Sequence, residues 1–98
     1  MKLGFTHEAK ADLAAITAYI ARDNPRRAAW FAREIRQRIS QIRATPKAYP
    51  LAPPHEAEGI RRCVQGQYLI FYRIDGDRLL VLHVFHGAMD YEPLFFPR

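Results

Sequence analysis

The stretch IRRCVQGQYLIFYRIDGDRLLVLHVF, residues 60–85, decides the fold. Three segments within it, at positions 60–64, 68–74 and 79–85, are rich in β-branched and aromatic residues, as β-strands usually are. A short turn that contains glycine separates each segment from the next, and such turns join neighbouring antiparallel strands. The stretch therefore predicts three consecutive antiparallel strands.

The last of these segments has apolar residues on both of its alternating faces. A strand of this kind is covered on two sides or lies in the middle of a sheet. A further short strand is indicated at positions 2–5, where Leu3 and Phe5 alternate with other residues. We expect the last strand to pair with this N-terminal strand as well as with its neighbour in the meander.

Two helices are predicted between the N-terminal strand and the meander. Thr6 has the side chain of a helix N-cap, and Asn24 and Pro25 suit the cap and first position of a second helix. The first helix, to about Arg22, repeats apolar residues at helical spacing: Ala9, Leu13, Ile16 and Ile20. The second carries a seam that can lie along the first: Ala28, Ala32, Ile35, Ile39 and Ile42. The short connection makes the pair a helical hairpin.

Four prolines between Pro46 and Pro54 end the second helix, because proline fixes its own backbone torsion and lacks an amide donor. The segment is predicted to be a loop. The resulting element order is β-α-α-β-β-β, an α+β fold with a helical hairpin on an antiparallel sheet. A chain of 98 residues is predicted to form a single domain over residues 1–98, because two separate cores would each be too small.

Composition limits the classes of function. Cys63 is the only cysteine, so neither an intramolecular disulfide nor a multi-cysteine zinc site can form, and no metal or cofactor is implied. Charged residues interrupt the apolar runs, so we expect no signal peptide, no membrane span and a cytoplasmic protein. The formal net charge of +5, with arginine predominant among the basic residues, favours an acidic partner or is simply a solubilising surface.

The second helix carries most of this charge. Its outer faces hold six arginines and few acids, which predicts a basic ridge: Arg26, Arg27, Arg33, Arg36, Arg38 and Arg43. The ridge is either an ordinary solvated face or a contact surface. Trp30 and Phe31 are adjacent and therefore point in directions about 100° apart. One of them must point away from the seam and is a candidate for contact with a partner.

Two stretches of the sequence resemble the ParE branch of the ParE/RelE toxin superfamily. The strand and first helices of that family are similar to the N-terminal stretch FTHEAKADLAAITAYIARDNPRRAAWF. Its arginine-rich strand, its aromatic strand ending Y-R and its last strand ending H-G resemble the later stretch AEGIRRCVQGQYLIFYRIDGDRLLVLHVFHGAMDY. Together they cover most of the chain. The resemblance implies the toxin of a type II toxin-antitoxin pair.

The resemblance also implies a choice between two toxin activities. RelE-like toxins cut mRNA on the ribosome with basic residues and a tyrosine, but Leu69 stands where they place an arginine, and Ala88-Met89 where they place basic residues. The resemblance to ParE therefore favours a toxin that is not an enzyme, has no catalytic residue and poisons DNA gyrase by binding it. The alternatives are a ribosome-dependent mRNA endonuclease and an inactive antitoxin-binding co-regulator.

Partners and contact residues follow from the same resemblance. It implies a ParD-like antitoxin with a ribbon-helix-helix part, which forms a hetero-oligomer with the toxin, and DNA is reached only through the antitoxin or gyrase. For the antitoxin we predict the surface Trp30, Phe31, Arg33 and Arg38. For the target we predict Arg62, Arg73, His86 and Tyr91. The apolar Phe95-Phe96 pair near the C-terminus either docks on the chain or meets a partner.

Overall fold

The computed structural model describes residues 1–87. Tyr91 and the Phe95-Phe96 pair lie outside the described residues. The elements are β1 (Lys2–Phe5), α1 (His7–Asp23), α2 (Pro25–Ala44), a single 3₁₀ turn (Glu56–Glu58), β2 (Arg61–Gln65), β3 (Tyr68–Asp75) and β4 (Arg78–His86). The α+β fold class and the element order predicted from the sequence are confirmed.

The four strands form one sheet in the order β1-β4-β3-β2. Strands β2, β3 and β4 are antiparallel neighbours, and β1 runs parallel to β4 at the far edge. Strand β4 is therefore flanked on both sides, which explains its apolar sequence and confirms the predicted pairing with the N-terminal strand. Strand β2 is the other edge, and Leu51 of the preceding connector bridges to its first residue, Arg61.

Both helices begin at the predicted caps. The side-chain hydroxyl of Thr6 accepts a hydrogen bond from the backbone N–H of Ala9, and Oδ1 of Asn24 accepts one from the N–H of Arg27, each at 3.0 Å. These bonds satisfy backbone donors that a helix start leaves unpaired. The single residue Asn24 separates α1 from α2, and the two helices pack against each other as a hairpin.

The main core lies between the hairpin and one face of the sheet. The buried face of α2 consists of Ala28, Phe31, Ile35, Ile39 and Ile42. Ala32, which was predicted on the seam, is only half-buried, and Phe31 takes the central position. The reason is that α2 packs both on α1 and on the sheet. The buried stripe of α2 is therefore turned toward the sheet.

The opposite face of the sheet carries a second, smaller core. Phe71 and Phe85 are buried there against Ala52 and Ile60, with ring centroids 5.8 Å apart for the two phenylalanines. The proline-rich connector thus covers this face of the sheet through Ala52, and the 3₁₀ turn Glu56–Glu58 follows it before β2. No helix within residues 1–87 has the length and apolarity needed to span a membrane.

Strand β4 has a bulge that ties it to α1. The pairing register with β3 shifts between Phe71 and Tyr72, which face His83 and Val81, so that Leu82 is the extra residue. The carbonyl oxygen of Leu82 accepts a hydrogen bond of 2.7 Å from the Thr6 hydroxyl. The Val84 N–H donates to the carboxylate of Asp12 at 3.1 Å. Beyond the end of β1, backbone groups of β4 have no neighbouring strand on that side. Thr6, the N-cap of α1, and Asp12 of α1 form hydrogen bonds with them.

Candidate protein-binding site

Trp30 and Arg33 form an exposed cluster on the outer face of α2. The Trp30 side chain is 51% exposed, although a tryptophan usually loses most of its surface on folding. The Arg33 guanidinium carbon lies 5.1 Å from the centroid of the indole ring, within the range of a cation–π contact. Of the two adjacent aromatics, Trp30 is therefore the one that points away from the core. The cluster offers an apolar ring and a positive charge together.

Phe31 occupies a different position from the rest of the predicted antitoxin surface. It is 1% exposed, and its ring contacts Tyr68 of β3 at a centroid distance of 4.8 Å. It lies beneath a groove of about 390 Å³ between the hairpin end and the β2–β3 turn, where Ile20 and Gln67 also contribute. Phe31 can therefore meet a partner only through a groove that it lines, either this one or the groove between the two helices.

A second groove runs between the two helices. It has a volume of about 140 Å³, and its lining is almost entirely apolar: Phe5, Leu13, Phe31, Ala32, Ile35 and Ile39. The half-buried Ala32 keeps this groove open because its methyl group fills less space than the isoleucines beside it. Arg36 lies at the margin. An amphipathic segment with an apolar face and an acidic edge fits such a surface.

Arg38, the last of the four predicted antitoxin contacts, is half-buried where α2 meets the edge strand β2. Its Nε donates to Oε1 of Gln65 at 2.8 Å, and its Nη1 donates to Oε1 of Gln41 at 3.1 Å. These bonds join the helix to the sheet and fix the orientation of the guanidinium. Arg38 thus differs from Arg33, which contacts only the exposed indole among the interactions described for it.

The three predicted target contacts within residues 1–87 do not come together on one surface. Arg62 pairs in register with Phe71, which places it on the sheet face away from the helices, and Arg73 follows Phe71 by two positions on the same face. His86 pairs with Tyr68 on the helical face, with ring centroids 5.4 Å apart. Arg62 and Arg73 can therefore act together, whereas His86 belongs to a different side of the molecule.

Several side chains that are candidates for acid–base chemistry make hydrogen bonds within the fold. The buried hydroxyl of Tyr72 donates to the Pro46 carbonyl oxygen at 2.6 Å, and burial raises the pKa of Tyr72 to about 12. Arg61 donates through Nη1 to the Tyr49 carbonyl oxygen at 2.6 Å. His83 lies 2.8 Å from Asp12 through Nδ1. Each of these side chains is thus held by a hydrogen bond to another part of the chain.

Two further observations concern reactive and metal-binding groups. Cys63 is buried in the main core, and burial raises the pKa of its thiol, which disfavours the reactive thiolate. Residues 1–87 contain no group of three or more His, Cys, Asp and Glu side chains arranged to hold a metal ion.

Sequence reasoning missed the residues that act through long-range contacts. Asp12 lies 72 residues from Val84, and Gln65 lies 27 residues from Arg38, so neither partnership has a local signal. The only hint for Asp12 is its place beside the apolar stripe of α1, where a carboxylate would face the sheet. For Gln65 the sequence gives no hint, since a glutamine at a strand end is usually solvated.

Fold and surface together define a small α+β domain that has grooves and an arginine-rich helical face on its surface. Residues 3–91 match the family described as "ParE toxin of type II toxin-antitoxin system, parDE". The chain belongs to this family of toxins, whose members function with an antitoxin partner.

Individual relatives agree with the family assignment. The chain is 35% identical over 88 residues to Toxin ParE1 of Caulobacter vibrioides, an alignment that covers 87% of this chain and 88% of the relative. Among solved structures, the fold is similar to the chromosomal ParDE TA system from P. aeruginosa, with a TM-score of 0.74 and 21% identity over 88% of this chain and 95% of that one. It is also similar to the YoeB/ParE toxin from Agrobacterium tumefaciens, with a TM-score of 0.60 and 22% identity over 88% and 98%.

Proposed function

We propose that this chain inhibits DNA gyrase by binding it, and that a ParD-like antitoxin with a ribbon-helix-helix part neutralises it. In this mechanism the toxin binds the gyrase state with broken DNA more tightly than the resealed state and thereby shifts the equilibrium toward it. The toxin makes and breaks no covalent bond. The toxin does not bind DNA directly and reaches it only through gyrase or the antitoxin. It acts in the cytoplasm, where gyrase works.

The main observation in support of this proposal is that Tyr72, Arg61 and His83 form hydrogen bonds within the fold. Cleavage of RNA by its own 2′-hydroxyl requires a base for that proton, cations for the crowded phosphate and an acid for the leaving oxygen. Tyr72 is directed into the core toward Pro46, and Arg61 is bonded to the connector. On the outer sheet face, Leu69 contributes an apolar side chain to the second core.

The grooves on the hairpin support an antitoxin that binds as a helix. The groove between α1 and α2 offers Leu13, Ala32 and Ile35 for the apolar face of such a helix, with Arg36 beside it for an acidic residue. Trp30 and Arg33 extend the same helical surface outward. The net charge of +5 would speed the encounter with an acidic partner.

One set of assays on the purified chain tests the proposal. Gyrase supercoiling and gyrase-cleaved DNA are measured at increasing toxin-to-gyrase ratios, and mRNA 5′ ends are mapped in translating extracts. We expect inhibition that saturates near equimolar toxin, with accumulated DNA breaks and intact mRNA. Cleaved mRNA together with unaffected gyrase would instead establish an endonuclease, and no effect in either assay would leave an antitoxin-binding co-regulator.

Tyr72→Phe is the matched control in these assays. The substitution keeps the buried ring and removes only the hydroxyl that an RNA-cleaving enzyme could use as an acid. A toxin that acts by binding should retain its effect on gyrase. Loss of activity in a folded Tyr72→Phe variant would count against the proposal.

A further inference from the structure

Arg38 lies in a recess where its charge has no opposite partner among the described residues. The recess has a volume of about 180 Å³ and is lined by Glu34, Gln37, Arg38, Gln41 and Gln65. Neither of the ion pairs described for residues 1–87 includes Arg38: one joins Arg27 to Glu34 at 2.8 Å, and the other joins His83 to Asp12. Glu34 is thus neutralised by Arg27, which leaves Arg38 as the uncompensated charge of the recess.

The guanidinium of Arg38 is oriented before any partner arrives. A guanidinium has five N–H donors, of which two are used by the side-chain oxygens of Gln41 and Gln65. The remaining donors include both on Nη2. Glutamine is neutral, so these bonds fix the side chain without consuming its charge. Part of the rotamer entropy that a free arginine loses on binding is therefore lost already when the protein folds.

We propose that this recess is a carboxylate-binding site, which receives one Asp or Glu side chain from the toxin-binding segment of the antitoxin. The inference rests on the proposed function only in the identity of the partner. An arginine with free donors in a fixed fork matches the two oxygens of a carboxylate. The amide NH₂ groups of Gln41 and Gln65 provide further donors at the edge of the same recess.

The surroundings favour a carboxylate over a nucleic-acid phosphate. A nucleic-acid backbone needs several cations in a row, because its phosphates follow one another closely. The lining of this recess contains one cation, Arg38, because the nearby Arg27 is not part of the lining and is paired with Glu34. A single acidic side chain on a peptide requires only the one uncompensated cation.

The test begins with the antitoxin that copurifies with the tagged chain, identified by mass spectrometry and then produced separately. Its affinity is measured by calorimetry for the wild type, Arg38→Gln, Arg38→Lys and the control Arg22→Gln, which removes an equal charge from an exposed position on α1. We expect Arg38→Gln to weaken binding by about 10- to 100-fold, as for other charge-assisted hydrogen bonds. Arg38→Lys should lose about tenfold, since it keeps the charge without the fork. Arg22→Gln should change affinity by less than about threefold.

The carboxylate itself is found by double-mutant cycles. Each acidic residue of the antitoxin's binding segment is changed to its amide and measured against wild type and Arg38→Gln. One acid should show coupling to Arg38 of about tenfold or more, and the others should be additive. If no acid is coupled to Arg38, the proposal is wrong.

Two other outcomes would also overturn it. Unchanged antitoxin affinity together with a lower melting temperature in Arg38→Gln would show that Arg38 only joins α2 to β2. Unchanged antitoxin affinity together with weaker binding to a single-stranded DNA oligonucleotide would show that the recess takes phosphate. Gyrase inhibition by the wild type is measured separately, so failure of the proposed gyrase activity does not affect this result.

Discussion

The carboxylate of Asp12 accepts hydrogen bonds from two consecutive residues of β4, one from Nδ1 of His83 at 2.8 Å and one from the backbone N–H of Val84 at 3.1 Å. An ionised carboxylate can only accept, so the His83 ring donates through Nδ1. The contact lies beside the β4 bulge, where β1 no longer covers the strand. Asp12 thus supplies β4 with a hydrogen-bond acceptor that a neighbouring strand would otherwise provide.

Asp12→Ala should therefore destabilise the protein. The substitution leaves the N–H of the buried Val84 and the His83 ring without this acceptor, which costs about 1–3 kcal/mol in the free energy of unfolding. Asp12→Asn keeps an oxygen acceptor and should cost less. Asp23→Ala, at the exposed end of α1, is the control and should stay within about 0.5 kcal/mol of wild type. Urea denaturation measures all three; equal stability of the Asp12 and Asp23 variants would contradict the role of Asp12.

Tyr72 should make the stability of the protein depend on alkaline pH. Burial raises its pKa from 10.0 to about 12 in the folded state, partly offset by the nearby Arg61. The native state thus keeps the phenolic proton over a pH range in which the unfolded chain releases it. The stabilisation from this group is complete below pH 10 and is lost as the pH rises toward 12.

Tyr72→Phe isolates this effect from the other groups that titrate at high pH. At pH 9 the variant should be about 1 kcal/mol less stable than wild type, because it lacks the hydrogen bond to Pro46. The gap should narrow as the pH rises above 10, since only the wild type loses the contribution of Tyr72. A gap that stays constant from pH 9 to pH 11 would show that the Tyr72 pKa is not raised.

Trp30→Ala should separate binding from stability. The exposed indole contributes little to the core, so we expect the melting temperature to stay close to that of the wild type. If the antitoxin covers the helical face, its affinity should fall by about tenfold or more, as large aromatics at interfaces usually cause. Phe31→Ala is the contrasting variant, with an expected loss of about 3–5 kcal/mol in stability. Calorimetry with the antitoxin and thermal melts give both readouts, and unchanged affinity of Trp30→Ala would exclude this surface.

Charge reversal on α2 should change how binding responds to salt. Arg33→Glu combined with Arg38→Glu removes two cations from the predicted antitoxin surface and should weaken binding. The remaining affinity should depend less on ionic strength, because fewer ion pairs are left to be screened. Lys10→Glu combined with Arg22→Glu alters net charge equally on α1 and is the control. The interpretation would be wrong if both double variants had the same affinity and the same salt dependence.

Most of the fold could be predicted from local sequence signals. The glycine turns of the meander, the Thr6 cap and the Asn24-Pro25 pair each act within a few residues, and every strand and helix begins within one or two residues of its predicted position. The β4 bulge was not predictable, because a strand that is apolar on both faces gives no sign of where its alternation shifts. Phe31 was ambiguous for a related reason: only the packing of α2 on the sheet decides whether Phe31 or Trp30 is buried.

The candidate site depended more on contacts between distant residues. The sequence indicated the basic ridge of α2, but every arginine on it is equivalent until the positions of its neighbours are known. The fold distinguishes Arg38, held by Gln41 and Gln65, from Arg33, which lies on an exposed ring. The fold likewise places Arg62 and Arg73 on one face of the sheet and His86 on the other.

The parallel pairing of β1 with β4 affects when the toxin can become active during its own synthesis. The ribosome makes Lys2–Phe5 first, but these residues have no partner strand until Arg78–His86 has been translated. Contacts between such distant parts of a chain form late, since the intervening loop must first be closed. A growing polypeptide therefore cannot complete its sheet before nearly all of residues 1–87 have been made, so the surfaces that depend on the finished sheet form only at the end of synthesis.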